Sequence, residues 1–450
     1  MYRFPRDFDF GIASSAYQME GGYNEDGKGP SIWDVFVEKP GAIAGGGTGK
    51  TGCDHYHHWR EDVGLLRELG VRTYRLSVAW SRVFPQGDGP LNQKGLDFYR
   101  RLTDALLENG ISPMVNLHHY DLPQSLYERG GWMNRDTIDA YVRYAETVFD
   151  ALSPQVSRYL VFNDVRGTLL GGYVSGERAP GRRGELRQAI EGWHSMHVAG
   201  ARAVEAFRSR GVPGGEIGCV MGLIPVRAAD DTPECRALAD AVGYFYNDAF
   251  LAPLIQGVYP ERTLDALESM RMMPSILTGD LETIAAGTVD MMGVSYYTPM
   301  TVRVNPQGDP SNPMSLFTRC AEGEKTDMGW VIDPTGMYDV LTHIRDTYGN
   351  PRVFVGETGA AFADTRRVRD VVMDDDRIAY LKAHIDQVAR AIDDGCNVDA
   401  VHLWTFLDNF EWQYGFTKQF GLVAVDHATG QRMPKKSYAW YQAFLRDIRS

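Results

Sequence analysis

Two carboxylates in this chain close short apolar runs, the setting in which a strand hands a side chain to a site. Asp164 ends "VFND" (161–164) and Glu357 ends "VFVGE" (353–357). Two carboxyls facing each other across one opening are the minimum kit for cleaving a glycosidic bond. One works as acid and base, the other as nucleophile. The competing reading is an ion pair that silences each, with Arg75 or Arg166 as the available cation. Other polar residues stand at comparable places: Gln18, Arg75, His119, Asp121, Asn163 and Tyr297, with Trp404, Asp408, Glu411 and Trp412 clustered late in the chain. A single polar residue at a strand end is more often structural than catalytic. This many on one set of strand ends point instead to a rim where chemistry is done.

Three further patterns carry less. "AGGGTGKT" (44–51) loosely fits a phosphate loop, but it follows the loop-like "EKPGAI" rather than a strand. A phosphate loop must leave a strand and open a helix, so a surface loop is expected. "DHYHHW" (54–59) offers His55 and His58 at helical spacing without an HExxH or a cysteine partner. That favours structural or surface roles over a metal site. His118 and His119 are adjacent, so on a strand they point to opposite faces and only one can look into a barrel. No metal or cofactor motif emerges.

The elements that would position these residues recur regularly. Apolar runs at 8–14, 73–80, 112–120, 157–165, 216–226, 290–298, 352–360 and 398–406 read as eight strands. Several lack clean alternation, as expected of parallel strands covered on both faces. Amphipathic segments lie between them. Residues 92–109 place Leu96, Tyr99, Leu102 and Leu106 on one stripe, with Asn92 as N-cap and Gly110 as stop. Residues 135–152 and 374–394 are similar. Eight such alternations predict a (β/α)8 TIM barrel. The chain exceeds the usual barrel size, so long βα loops are expected; 25–53, 166–185 and 299–332 are rich enough in glycine and proline to supply them. No repeat or low-complexity stretch marks a boundary, and residues 1–450 read as one domain.

Bulk properties exclude several classes. The chain has 450 residues, a net charge of −13 and no long basic run, which argues against nucleic acid or an anionic membrane as partner. No apolar stretch is long enough to span a bilayer and no signal-peptide pattern opens the chain. Five scattered cysteines without a CxxC pair suit a reducing compartment. A cytoplasmic protein is expected, with oligomeric state left open.

Longer blocks then fall into place. "SSAYQMEGGYNEDGKGPSIWDVF" (14–36), "DHYHHWREDVGLLRELGVRTYRLSVAWSRVFP" (54–85), "LHHYDLPQSLYERGGW" (117–132) and "DNFEWQYGFTKQFGL" (408–422) resemble the signatures of glycoside hydrolase family one, the β-glucosidase family. The resemblance covers essentially the whole chain. It implies a retaining mechanism acting on a small glycoside or oligosaccharide, with Glu357 as nucleophile and Asp164 at the acid/base position. Arg75 and Tyr297 would hold the nucleophile. Gln18, His119, Asn163, Glu411 and Trp412 would contact the sugar, with Trp404 as a stacking platform. Tyr120, Ser295 and Trp330 complete the expected binding set. A carboxylate at Glu411 would repel a 6-phosphate, which favours an unphosphorylated sugar.

The departures from the family pattern gather around this site. Asp164 stands for glutamate, Val165 for proline, Ser295 and Thr358 for asparagine, and Tyr120 for tryptophan. Aspartate is one methylene shorter, so on a fixed backbone its carboxyl retreats by roughly 1 Å from a pair that retaining enzymes hold about 5–5.5 Å apart. A displacement of that size can cost on the order of 10²-fold in rate. Three readings follow: a β-glucosidase-like hydrolase, a divergent member that trims or transfers a sugar, and a sugar-binding protein without turnover.

Overall fold

A computed structural model describes residues 4–309 and 312–449. Eight parallel strands close into a barrel: β1 (Asp9–Ala13), β2 (Thr73–Ser77), β3 (Ser112–Asn116), β4 (Arg158–Asn163), β5 (Glu216–Gly222), β6 (Met291–Ser295), β7 (Val353–Thr358) and β8 (Val398–Trp404). All eight expected strands are present, several shorter than their apolar runs. Each pairs with its sequence neighbour, and β1 closes on β8 in register Gly11 to His402. The chain is therefore a TIM barrel, with its strand C-termini at one mouth.

The helices follow the predicted stripes. Helix Gln93–Glu108 buries Leu96, Tyr99, Leu102 and Leu106. Asn92 precedes it, but its amide donates to the carbonyls of Asp26 and Arg82 instead of capping the first turn. Gly110 takes φ +73°, as a helix stop should. The floor of the barrel is a small apolar plug of Met114, Leu160, Val220, Met291, Phe354 and Ala400, one residue from each of β3 to β8. Everything polar that concerns the site stands above it.

Two strands break the alternation that places side chains. On β4, Leu160 faces the barrel, yet Phe162 packs outward on Trp132 and Tyr141 and Asn163 turns in. The pairing of β4 with β5 slips between Leu160 and Asn163. On β7 the pairing with β6 slips between Val355 and Glu357, which turns Glu357 inward although Phe354 already points there. A one-residue slip moves a side chain to the opposite face. Both slips sit where the candidate chemistry does.

The long connections are more structured than loops. After β4 the chain winds into a helix over Val165–Leu169 and a wide helical turn over Leu170–Ser175. Its glycines serve close approach: a β-carbon at 171 would stand 2.7 Å from Arg178 Cδ, and one at 172 would stand 2.7 Å from the Ala179 carbonyl. After β6, Met300–Val304 pairs antiparallel with Phe317–Cys320. The phosphate-loop look-alike is only a short turn at Ala44–Gly46, and Lys50 pairs with Glu38. Buried His55 pairs with Asp62, which also holds Arg432, while His57 and His58 pair with acids at the surface. All five cysteines are free. Among the described residues no helix is long and apolar enough to cross a membrane.

Candidate active site

A cavity of about 490 Å³ opens at the C-terminal mouth of the barrel. It collects most of the residues singled out in the sequence: His119, Tyr120, Asn163, Asp164, Ser295 and Tyr297, then Trp330, Glu357, Trp404, Glu411 and Trp412.

Glu357 lies at its base, 5% exposed. Arg75 of β2 donates through Nη2 to one carboxylate oxygen, and Tyr297 donates to the other at 2.7 Å. The same guanidinium donates through Nη1 to Asn163 Oδ1 at 2.8 Å. Arg75 does not line the cavity; it works from beneath, completely buried. One cation thus orients two residues on opposite walls, and charge-assisted bonds of this kind hold geometry firmly. The suspected ion pair is real for Glu357, but it leaves the carboxylate on the cavity wall. Arg75 therefore positions this group instead of hiding it.

Asp164 is held differently. It is half-buried, and its Oδ2 accepts from Tyr120 Oη at 3.0 Å while its Oδ1 faces the Gly222 amide at 3.4 Å. Tyr120 and Asp164 both take left-handed backbone, φ +74° and +48°. Aspartate tolerates that region better than most residues, whereas an aromatic there is an outlier. The two departures at these positions are therefore one contact: a phenol reaches the shortened carboxyl. Val165, where the family pattern has proline, opens the next helix and is buried.

Three side chains crowd the same point. A β-carbon on Gly167 would overlap the Asp164 carboxylate and stand 2.6 Å from Arg178 Nη1 and 2.7 Å from Tyr120 Oη. Arg178 was not singled out in the sequence. Its guanidinium lies 4.8 Å from the Tyr120 ring centroid, and its buried Nη1 has no hydrogen-bond partner. Arg166 and Arg319 line the same wall. The available signal is the basic character of "GERAPGRR" (176–183) in the connection that follows β4.

The opposite end is aromatic and acidic. Trp412 packs against Tyr17, Trp33 and His119, and Trp404 lies 5.9 Å from the His119 ring. Trp330 leans on Tyr297 at 5.3 Å. His119 faces the site, its Nε2 within 3.1 Å of Asn163 Nδ2, and its Nδ1 has no partner. Burial, with the Arg75 charge adding, keeps it well below the usual histidine range, so it is neutral. His118 points the other way, into Trp132 and Phe162, where burial lowers it to about 3. Burial pushes Glu411 up to about 7; Arg178 opposes this and the Glu357 charge reinforces it. Gln18 stands behind the wall, donating to the Phe410 carbonyl at 2.8 Å and to Glu411 at 3.4 Å, and it does not line the cavity. Ser295 lines it with an unpartnered hydroxyl. Asp121 and Asp408 are not on the cavity wall; Asp408 pairs with Lys435.

A well-held carboxylate, a second carboxyl lining the same cavity and aromatic faces beside them suit glycosyl transfer to and from a protein oxygen. Comparison with known proteins agrees. Residues 1–448 match the family model for glycosyl hydrolase family 1. The chain is 41% identical over 448 residues to β-glucosidase A of Acetivibrio thermocellus, covering 99% of this chain and 98% of that protein. It is 36% identical to a 6-phospho-β-glucosidase of Bacillus subtilis, covering 98% and 97%. The structure of a β-glucosidase from Thermotoga maritima in complex with glucoimidazole superposes with a TM-score of 0.94 at 37% identity, covering 99% of each chain.

Proposed function

The chain belongs to glycosyl hydrolase family 1 and is a retaining β-glycosidase, and we propose that Glu357 is its nucleophile and Asp164 its acid/base. The observation that carries this reading is the clamp on Glu357: Arg75 on one oxygen and Tyr297 on the other hold it aimed at the cavity. In the first step Glu357 attacks the anomeric carbon, and the aglycone leaves with the bonding pair as Asp164 gives up a proton. In the second, Asp164 takes a proton from water, which displaces Glu357. Asn163, fixed by Arg75 and His119, is placed for the sugar 2-hydroxyl, and Trp404 and Trp412 for its apolar face.

An unphosphorylated glucose-type sugar fits this cavity best. Glu411 occupies the end where a sugar's outer hydroxyls would lie, and it would repel a phosphate. Its carboxyl, near 7, sets a pH dependence. Above that value it is ionised and accepts two charge-assisted hydrogen bonds; below it is neutral and a poorer acceptor. KM for 4-nitrophenyl β-D-glucoside is therefore expected to rise by roughly fivefold as pH falls from about 8 to about 6. The Glu411→Gln variant should bind more weakly with a flat profile between those values. A wild-type KM independent of pH would remove Glu411 from the sugar contacts.

Gly167→Ala tests the crowding around Asp164. The added methyl must displace the carboxylate, and kcat/KM on the same substrate should drop by ~10²-fold. Thermal melting recorded alongside separates this from unfolding. Unchanged kinetics in a folded variant would mean that Asp164 has slack to spare. The central test is direct: wild-type protein should hydrolyse a simple β-glucoside and release β-glucose first, as followed by NMR. Release of the α-anomer would contradict retention.

A further inference from the structure

Resting on the glycosidase reading, we propose that the aglycone side of the cavity selects a negatively charged aglycone, a carboxylate on the group that leaves, with Arg178 and Arg319 as its specificity-determining residues on a wall they share with Arg166. The cavity is electrically divided. Glu357 and Glu411 occupy the end assigned to the sugar, whereas three guanidiniums share the remaining wall with Glu177, and the charge of one of them, Arg178, also reaches Asp164 and Glu411. In a chain of net charge −13 such a concentration does not follow from composition.

Arg166 and Arg319 are held by Tyr246, whereas the Arg178 charge acts on Tyr120, Asp164 and Glu411. Arg166 donates to the Tyr246 carbonyl at 2.8 Å, and Arg319 donates to the Tyr246 hydroxyl at 2.9 Å. Both guanidiniums lie near the same ring, at 5.2 and 5.7 Å from its centroid. Tyr246 thereby fixes their spacing. Arg178 rests on the Tyr120 ring with a buried, unpartnered Nη1. That buried Nη1 has lost hydration that no hydrogen bond replaces. A planar carboxylate supplies both the charge and the acceptors that a guanidinium fork matches. The acids at the other end would repel the same group, so the charge also orients the substrate.

The test compares 4-carboxyphenyl β-D-glucoside with its methyl ester, the two differing in charge at one position. The ester leaves more readily, so a preference for the acid cannot come from leaving-group chemistry. Wild-type kcat/KM is expected to favour the acid by about tenfold, one charge-assisted contact's worth. The preference should shrink as salt rises from about 0.05 to about 0.5 M. It should fall severalfold in Arg178→Gln and in Arg319→Gln, and vanish in the double variant. Because the readout is a ratio within each protein, a general loss of activity does not imitate it. An ester cleaved as fast as the acid by wild-type protein, or a preference that survives in the double variant, overturns the proposal while normal turnover of 4-nitrophenyl glucoside leaves the glycosidase reading intact. No turnover of any of the three substrates overturns both.

Discussion

Glu357→Gln lowers kcat on 4-nitrophenyl β-D-glucoside by ~10⁴-fold or more, the scale seen when a covalent nucleophile is removed. The amide keeps the shape of the side chain, but its single oxygen can take only one of the two bonds that Arg75 and Tyr297 donate to separate oxygens, and it cannot form the ester. The change also strips a buried guanidinium of its counter-charge, which costs stability, about 3 kcal/mol where such a pair is fully buried. A folding defect could therefore imitate a catalytic one. The companion measurement uses unmodified protein. A 2-deoxy-2-fluoro glucoside with a dinitrophenolate leaving group should add one fluorosugar mass, and peptide mapping should find it on Glu357. A label elsewhere, or a variant keeping more than about a hundredth of its activity, would displace Glu357 from the role.

Asp164→Asn should produce a loss that depends on the leaving group. General acid help is worth ~10²–10⁴-fold when the departing oxygen must be protonated. An alkyl glucoside needs it fully, and a dinitrophenyl glucoside hardly at all. Its kcat/KM should fall by that factor on the first and by less than about tenfold on the second, while kcat on the second falls because the attacking water loses its base. Azide, which needs no base, should then restore turnover of the activated substrate and yield β-glucosyl azide. Equal losses on both substrates would make Asp164 a positioning residue. Tyr120→Phe removes the hydroxyl that holds the carboxyl and should reproduce a milder form of the same leaving-group dependence. Wild-type protein that cleaves only the dinitrophenyl substrate would show Asp164 to be too short for the task.

Much of this is legible in the sequence. Eight apolar runs separated by amphipathic stretches are local patterns, and parallel strands buried on both faces announce themselves by composition. The strand ends were readable too, because a polar residue closing an apolar run is locally conspicuous. What failed to show was whatever depends on the third dimension. Gln18 matches a sugar-binding position, yet it sits behind the wall supporting Glu411. Arg178 lies in a stretch whose composition reads as loop, and its meaning comes from a helical turn that folds it back over Tyr120. Tyr120 and Asp164 looked like two independent departures. They lie 44 positions apart, and only the barrel brings the phenol to the carboxyl.

The register slips in β4 and β7 have a consequence for how this barrel can change. Each strand is locally one residue out of step with its neighbour at the point where it presents Asn163 or Glu357. Shortening either strand by a single residue would restore plain alternation and leave the apolar plug beneath untouched. A library of one-residue deletions across 161–162 or 355–356, sorted for heat resistance alone, would thus have little reason to reject such chains. Sorted for sugar release, it should reject nearly all of them. The architecture and the chemistry answer to different selections within the same two strands, and the irregularity records which one has prevailed.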